Sequence, residues 1–354
     1  MDSIHLKPAK VAEELFDFNR KLLKSYNTLQ KLKEVDVGQT PKEEVYREDK
    51  LRLHRYAPIG KPANTTPVLI CYALVNRPYM IDLEPERSIL LRLLEQGQEV
   101  YVIDWGYPDA ADRYLDLDDY INEYLNNCVD HVRERSGKDQ INLLGICQGG
   151  TFSLCYTAMN PQKIKNLITM VTPVDFHTPD NLLAHLARSV DADLAVDTYG
   201  NIPGSMLNDS YNSLMPMRLG IQKNLGMPNQ LENEESALSF LRMEKWIYDS
   251  PDQAGEAFRQ FIKQFFHDNK LIKGEAMIGD NQVDLSNISQ PVLNIYGSFD
   301  HLVPPAASVA LANHVSSSDY EEMKVHGGHI GVFVSGKAQT LVAPKIVNWL
   351  TAHD

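Results

Sequence analysis

The sequence has few cysteines, no long hydrophobic run and no excess of positive charge. Its four cysteines, Cys71, Cys128, Cys147 and Cys155, form no Cys-x-x-Cys pair, so neither a disulfide framework nor a metal site is indicated. No stretch approaches the ~18 apolar residues that cross a membrane. Residues 1–10 lack the apolar segment of a signal peptide. We therefore expect a reduced, cytoplasmic protein without a membrane span.

The charge balance excludes two classes of partner. With 34 basic and 47 acidic residues, the chain carries a formal net charge of −13. Nucleic acids and acidic membranes both attract a basic surface, so we expect neither as a general partner. A local basic pocket for a small anionic substrate remains compatible with this charge. Hydrophobic residues make up 43% of the 354 residues, which is enough for a large core.

Short apolar segments alternate with helical ones over most of the chain, which predicts a mostly parallel, doubly wound α/β sheet. A hairpin is expected over residues 43–58. The other predicted strands cover residues 67–74, 99–105, 141–144, 166–171, 291–296 and 322–325.

The pattern breaks between residues 178 and 285, where helical segments separated by prolines replace the strands. We interpret residues 178–285, called the cap below, as a helical insertion into a core formed by residues 34–177 and 286–354. A second independent domain is the alternative. It is less favoured because the strand pattern resumes directly after the cap.

Residues 1–33 form the remaining segment. Apolar residues recur every three or four positions from Val11 to Leu29, which predicts an amphipathic helix. Such a helix either packs on the flank of the core or docks a partner.

The segment Gly145-Ile146-Cys147-Gln148-Gly149-Gly150 follows a predicted strand and precedes a predicted helix. Strand, glycine turn and helix are the context of a nucleophile elbow, the sharp turn that exposes a catalytic nucleophile. Glycines flank the nucleophile because side chains there would collide with the neighbouring strand or helix. A helix N-terminus would favour the thiolate of Cys147. The alternative is a buried structural cysteine.

Two later residues complete a candidate triad with Cys147. Asp300 lies just after the strand at 291–296, and His329 follows the last strand. The order nucleophile, acid, histidine is that of the α/β-hydrolase fold. Of the other histidines nearby, His301 is expected to be structural, with substrate contact as an alternative, and His326 to support the loop.

The oxyanion hole should use backbone N–H groups. One is that of Gln148, the residue after the nucleophile, and the other belongs to the loop after the strand at 67–74, most plausibly Val75.

Four segments resemble polyhydroxyalkanoate synthases: Leu74–Leu83 (LVNRPYMIDL), Val102–Pro108 (VIDWGYP), Gly145–Gly150 (GICQGG) and His326–Ile330 (HGGHI). The likeness runs from about residue 11 to the C-terminus. The length resembles the catalytic PhaC subunit of the two-subunit class III type.

The resemblance implies specific roles. Cys147 would carry the growing acyl chain, and His329 would deprotonate the thiol of Cys147. Asp300 would serve elongation, and Asp82 would be structural. The implied substrate is a 3-hydroxyacyl-coenzyme A, typically 3-hydroxybutyryl-coenzyme A, whose coenzyme A is a leaving group, so no cofactor is expected. The implied assembly is a homo- or hetero-oligomer with a companion PhaE-like subunit, at cytoplasmic polyester granules.

The elongation base is either His329 or Asp300, and we expect Asp300. A cysteine with a pKa of ~8.5 needs little activation, whereas a secondary alcohol is far less acidic. A cysteine-dependent α/β-hydrolase, such as a dienelactone hydrolase or thioesterase, and a non-catalytic scaffold are the alternatives. For coenzyme A, Arg77, Arg218 and Lys223 are candidate cations, although each is better explained as an ordinary surface charge.

Overall fold

The computed structural model describes residues 7–32 and 34–354, except the side chains of residues 218–220. Its strands are β1 (Glu43–Glu48), β2 (Leu51–Tyr56), β3 (Val68–Cys71), β4 (Val100–Asp104), β5 (Ile141–Ile146), β6 (Ile164–Met170), β7 (Ala276–Ile278), β8 (Asn281–Val283), β9 (Val292–Gly297) and β10 (Tyr320–Val325). Eight of them form one sheet in the order β1-β2-β4-β3-β5-β6-β9-β10. The pairs from β4 to β10 are parallel, and β1 and β2 add an antiparallel edge. The predicted α/β fold is confirmed.

With one N-terminal exception, the helices cover both faces of this sheet or belong to the cap. They are α1 (Pro8–Leu29), α2 (Ile89–Glu95), α3 (Asn126–Ser136), α4 (Gln148–Met159), α5 (Leu182–Ala187), α6 (Ala192–Tyr199), α7 (Gly204–Ser213), α8 (Lys223–Gln230), α9 (Glu234–Tyr248), α10 (Gly255–Phe261), α11 (Lys270–Lys273), α12 (Pro305–Val309), α13 (Gly331–Val334) and α14 (Ala343–Ala352). Short 3₁₀ and π-helical turns extend or join several of them. The exception is α1, which packs against the cap helices α8 and α9.

The direction in which successive strands are added to the sheet reverses between β3 and β5. From β3 the chain moves outward to β4, then returns to the other side of β3 to form β5. In an open α/β sheet, ligands bind at the carboxyl ends of the strands beside such a reversal. The loop after β3 and the turn after β5 therefore lie next to each other, and these are the two segments expected to supply the oxyanion hole.

The central strands are buried on both faces, as expected for parallel strands covered by helices. Along β5, Leu143 belongs to the core on one side of the sheet and Leu144 to the core on the other, because successive side chains of a strand point to opposite faces. The first core includes α4 and aromatic residues of α10, and the second includes α2 and α14.

The cap holds α5 to α11, as the proline-separated helical pattern predicts. The expectation that the cap has no strands is wrong, because β7 and β8 form an antiparallel hairpin within it. Each strand has three residues, too few to produce an apolar run, and the turn uses Gly279 at φ +56°. The limits of the cap and core segments remain a sequence prediction.

Helix α1 confirms the helix expected within residues 1–33, of which residues 1–6 and 33 lie outside the described residues. Its buried residues are polar, Ser25 and Thr28, and Ser25 donates to the carbonyl oxygen of Pro228. Large apolar side chains face solvent instead: Leu15 is 58% exposed, Phe16 73% and Leu23 68%. Among the described residues, no helix has the length and apolar character needed to cross a membrane.

Candidate active site

Cys147 forms the turn between β5 and α4 with φ +54° and ψ −123°. This left-handed region is unusual for a residue with a side chain and marks a strained position. The turn depends on its two glycines. A Cβ at Gly149 would collide with the backbone at the end of β3, and a Cβ at Gly145 would lie 2.5 Å from the Cα of Gly150. The steric reason inferred from the sequence is confirmed.

The structure brings His329 and Asp300 into direct contact. Nδ1 of His329 donates to Oδ2 of Asp300 at 2.7 Å. Oδ1 of Asp300 accepts the backbone N–H groups of Leu302 and Val303, each at 2.9 Å. Because Asp300 engages Nδ1, the other ring nitrogen of His329, Nε2, is left for Cys147.

The charge state of His329 depends on both partners. Burial by itself lowers the pKa of the imidazole, but the carboxylate of Asp300 and the thiolate of Cys147 outweigh burial and raise the pKa well above its usual value. Both partners act through charge and through a hydrogen bond. A histidine held by a carboxylate beside a thiol is the arrangement in which the imidazole can serve as the base for that nucleophile.

The other three cysteines are unsuited to nucleophilic chemistry. Cys71, Cys128 and Cys155 are buried, whereas Cys147 is partly exposed. Burial raises the pKa of Cys71 and Cys155 to about 12 and also raises that of Cys128. A thiol with such a pKa holds its proton at neutral pH, and the thiolate is the reactive form.

The predicted oxyanion-hole residues meet beside Cys147. The side-chain Oε1 of Gln148 accepts the backbone N–H of Leu74 at 3.1 Å, which ties the loop after β3 to the elbow. Val75 and Gln148 both line the cavity at Cys147. Within the described part of the chain, neither backbone N–H has a protein acceptor. Both are thus available to an oxyanion, and their role stays a prediction.

A cavity of about 290 Å³ opens at Cys147 and His329. The sheet domain contributes one wall, including His301, and the cap contributes the other. The cap residues of the lining have no signature in the sequence, because aromatic and aliphatic side chains at helical spacing are indistinguishable from ordinary core residues. These include Leu186, Leu207, Tyr211, Trp246, Phe258 and Phe266.

Asp300 does not reach this cavity with its carboxylate. Its side chain is 0% exposed, and both oxygens accept hydrogen bonds from His329 or from the backbone. The geometry weighs against the elongation role expected for Asp300 from the sequence and favours a role in orienting His329.

Other predicted residues have structural surroundings. Asp82 accepts hydrogen bonds from Thr40 and Ser88, consistent with the structural role implied for it. His326 is exposed and lies edge-on to the ring of Phe299, 4.9 Å between centroids.

Two of the candidate cations for coenzyme A are already paired. Arg77 bonds Asp104 at 2.6 Å, and Lys223 bonds Glu244 at 2.7 Å. The third candidate, Arg218, has a side chain outside the described residues.

Comparison with known proteins decides the family. Residues 66–335 match the family described as alpha/beta hydrolase fold, and residues 10–92 match the poly-beta-hydroxybutyrate polymerase (PhaC) N-terminus. The poly(3-hydroxyalkanoate) polymerase subunit PhaC of Allochromatium vinosum is 55% identical over 352 residues, covering 99% of both chains. The same subunit of Thiocystis violacea is 53% identical over 355 residues, covering 100% of both chains. The chain belongs to the class III polyhydroxyalkanoate synthases.

Membership of this synthase family makes the chain an enzyme, an acyltransferase. The solved structures add support for the fold alone. The monoacylglycerol lipase of Paleococcus ferrophilus superposes with a TM-score of 0.51 at 17% identity, over 85% of this chain and 99% of the lipase.

We predict that iodoacetamide at pH 7.5 alkylates Cys147 in the native protein much faster than the three buried cysteines. The measurement is peptide mass spectrometry of samples quenched over time. Cys155→Ala is the matched control and should leave the rate at Cys147 unchanged. Preferential alkylation of Cys155 would contradict the assignment of Cys147 as the reactive thiol.

Proposed function

We propose that the protein polymerises (R)-3-hydroxyacyl-coenzyme A, with 3-hydroxybutyryl-coenzyme A as the main substrate, through a thioester on Cys147. The observation that carries this proposal is the position of a cysteine in a nucleophile elbow, beside a buried His329–Asp300 pair, in the lining of an apolar cavity. The names of the class III relatives support the polymerisation itself.

In the acylation step, His329 takes the proton of Cys147, and the thiolate attacks the thioester carbonyl of the substrate. The N–H groups of Val75 and Gln148 stabilise the negative charge on the carbonyl oxygen. The carbon–sulfur bond to coenzyme A then breaks. The departing coenzyme A thiolate takes the proton from His329, and the acyl group remains on Cys147.

In the elongation step, the hydroxyl of an incoming 3-hydroxyacyl-coenzyme A attacks the thioester carbonyl on Cys147. A carbon–oxygen ester bond forms, the carbon–sulfur bond to Cys147 breaks, and the hydroxyl proton passes through a base to the departing Cys147 thiolate. The lengthened chain, now on coenzyme A, returns to Cys147 by the acylation step, which releases coenzyme A. We assign this base to His329, because His329 bonds Cys147 and its Nδ1 is taken by Asp300, which leaves Nε2 for the reaction. The carboxylate of Asp300 is instead buried and fully engaged. Asp300 holds the imidazole in the required tautomer in both steps.

Cysteine suits this reaction better than serine. Attack of Cys147 on a thioester gives another thioester, so the acyl-enzyme keeps its transfer potential. A serine would form an oxygen ester, which lies no higher in energy than the polyester product. Chain growth would then lose its driving force.

Water has to be kept from the acyl-enzyme, because hydrolysis would turn the polymerase into a thioesterase. The lining of the cavity supports this requirement, since the cap covers Cys147 with aliphatic and aromatic side chains. Residues 178–285 therefore act as a lid in this proposal.

Coenzyme A acts only as the leaving group, and no cofactor takes part in the proposed reaction. We further propose that the chain works with a companion PhaE-like subunit at the surface of cytoplasmic polyester granules. The apolar exposed face of α1 supports a docking role for this helix.

The activity is tested by incubating the protein with 3-hydroxybutyryl-coenzyme A while measuring free thiol and insoluble polymer. We expect stoichiometric release of coenzyme A with polymer, and none from Cys147→Ala. Cys128→Ala, which changes a buried thiol remote from the cavity, is the control and should retain activity. Release of coenzyme A with free 3-hydroxybutyrate instead of polymer would identify a cysteine-dependent hydrolase.

The role of Asp300 is tested with Asp300→Asn. An asparagine cannot accept the Nδ1 proton in the same way, so acylation and elongation should fall together, by about 100-fold or more. Single-turnover acylation followed by mass spectrometry of the enzyme measures the first step, and polymer yield measures the second.

Asp319→Asn is the matched control, because Asp319 also bonds a histidine, His353, at 2.8 Å but at an exposed site. Normal acylation of Asp300→Asn with stalled chain growth would return the elongation role to Asp300.

The docking role of α1 is tested by deletion of residues 1–30 and by the triple substitution Leu15→Ser, Phe16→Ser, Leu23→Ser. Both should weaken co-purification with the companion subunit and reduce stimulation by it, because exposed apolar area is lost. Leu341→Ser is the control, since Leu341 is 53% exposed on another helical segment. Unchanged binding of the triple variant would leave α1 as a flanking helix only.

A further inference from the structure

The loop after β3 bonds to the C-terminal end of cap helix α9. The side-chain Nδ2 of Asn76 donates to the carbonyl oxygens of Trp246 at 3.1 Å and Ile247 at 3.3 Å. In the opposite direction, the indole N–H of Trp246 donates to the carbonyl oxygen of Arg77 at 2.8 Å. Core and cap are therefore joined at the residue that follows Val75.

The end of α9 needs such donors from outside. The last four carbonyl groups of a helix have no partners within it. In α9, the backbone N–H of Asp249 satisfies the carbonyl of Lys245 at 2.8 Å. Asn76 bonds the next two carbonyls from the core, and that of Ile247 also accepts the side-chain Nδ2 of Asn208 at 2.6 Å. Asn76 therefore helps to cap a helix to which it does not belong.

The carboxylate of Asp249 strengthens the same junction. It accepts the hydroxyl groups of Tyr79 at 2.9 Å and Tyr107 at 2.5 Å. Both tyrosines belong to the core side of the structure, close to the loop after β3 in sequence or in space. The C-terminal end of α9 is therefore fixed to the core by hydrogen bonds from Asn76, Tyr79 and Tyr107.

Val75 lies between two anchored residues. On one side, Leu74 donates its backbone N–H to the side chain of Gln148 in the elbow. On the other side, Asn76 has φ +57°, a conformation that asparagine tolerates better than most residues, and its side chain is fixed by α9. The orientation of the Val75 N–H therefore depends on both the elbow and the cap.

We infer that Asn76 is a positioning residue for the oxyanion hole, and that the hole is complete only while α9 is docked on the core. Through Asn76, a closed cap aims the Val75 N–H at the carbonyl oxygen above Cys147. With the cap displaced, this donor is released, and acyl transfer slows although the thiolate is intact. The inference rests on the proposed function only for the identity of the natural acyl donor.

The test compares two reactions of Cys147 in Asn76→Gly, a variant that keeps the positive φ and loses the donor. Acylation by 3-hydroxybutyryl-coenzyme A and by p-nitrophenyl acetate passes through an oxyanion. Alkylation by iodoacetamide needs the same thiolate but forms no oxyanion. We expect acylation by both donors to fall about 10- to 100-fold, somewhat less than the loss of a whole oxyanion donor, with alkylation unchanged.

Asn201→Gly is the matched control. Asn201 also bridges cap and core, because its side-chain Nδ2 donates to the carbonyl oxygen of Asp109 at 2.6 Å, but it does not contact the loop after β3. Both reactions should keep their wild-type rates in this variant.

The inference is overturned by wild-type acylation rates in Asn76→Gly, by an equal loss of acylation and alkylation, or by an equal loss of acylation in Asn201→Gly. Wild-type protein that accepts p-nitrophenyl acetate but not 3-hydroxybutyryl-coenzyme A contradicts the proposed function and still tests Asn76. Wild-type protein that accepts neither donor contradicts both.

Discussion

The site depends on how closely the backbone of α4 approaches the end of β3. Only a glycine fits at position 149, since any side chain would collide with the carbonyl oxygens of Cys71 and Tyr72. This close approach forces the sharp turn at Cys147, places its thiol at the start of α4 and brings Gln148 within reach of Leu74. Nucleophile and oxyanion loop are therefore positioned by one steric constraint.

The electrostatic properties of the site depend on which ionisable groups are buried and on the partners that each of them has. The buried oxygens of Asp300 are satisfied by three donors, the imidazole N–H of His329 and two backbone N–H groups. Asp300 and Cys147 together outweigh the burial of His329 and raise the pKa of its imidazole. For the three buried cysteines, burial is the largest influence, and it raises their pKa so that they keep their protons.

The sequence was most informative where a local pattern coincides with a strand end. Cys147, Asp300 and His329 could be placed together because each follows a predicted strand, and parallel strands end at one edge of the sheet. The sequence was least informative where tertiary contacts alone determine the structure or the role of a residue. The hairpin of β7 and β8 is too short to show a periodicity, and the burial of Asp300, on which its role depends, leaves no sequence signal.

The role of Asn76 was likewise not predictable from the sequence. Its position in a motif is visible in the sequence, but its bonds to α9 join residues separated by 170 positions in the chain. The cap lining likewise consists of residues such as Phe258 and Trp246, whose sequence pattern is that of any buried helix.

The finite size of the cavity has a consequence for the enzyme's location under the proposed reaction. A polymer that gains one unit per cycle soon exceeds a volume of about 290 Å³, while its growing end returns to Cys147 in every cycle. The older part of the chain must then thread out of the protein during synthesis. Under the proposed reaction, each active molecule is consequently tethered to its own insoluble product by the bond that it forms in catalysis.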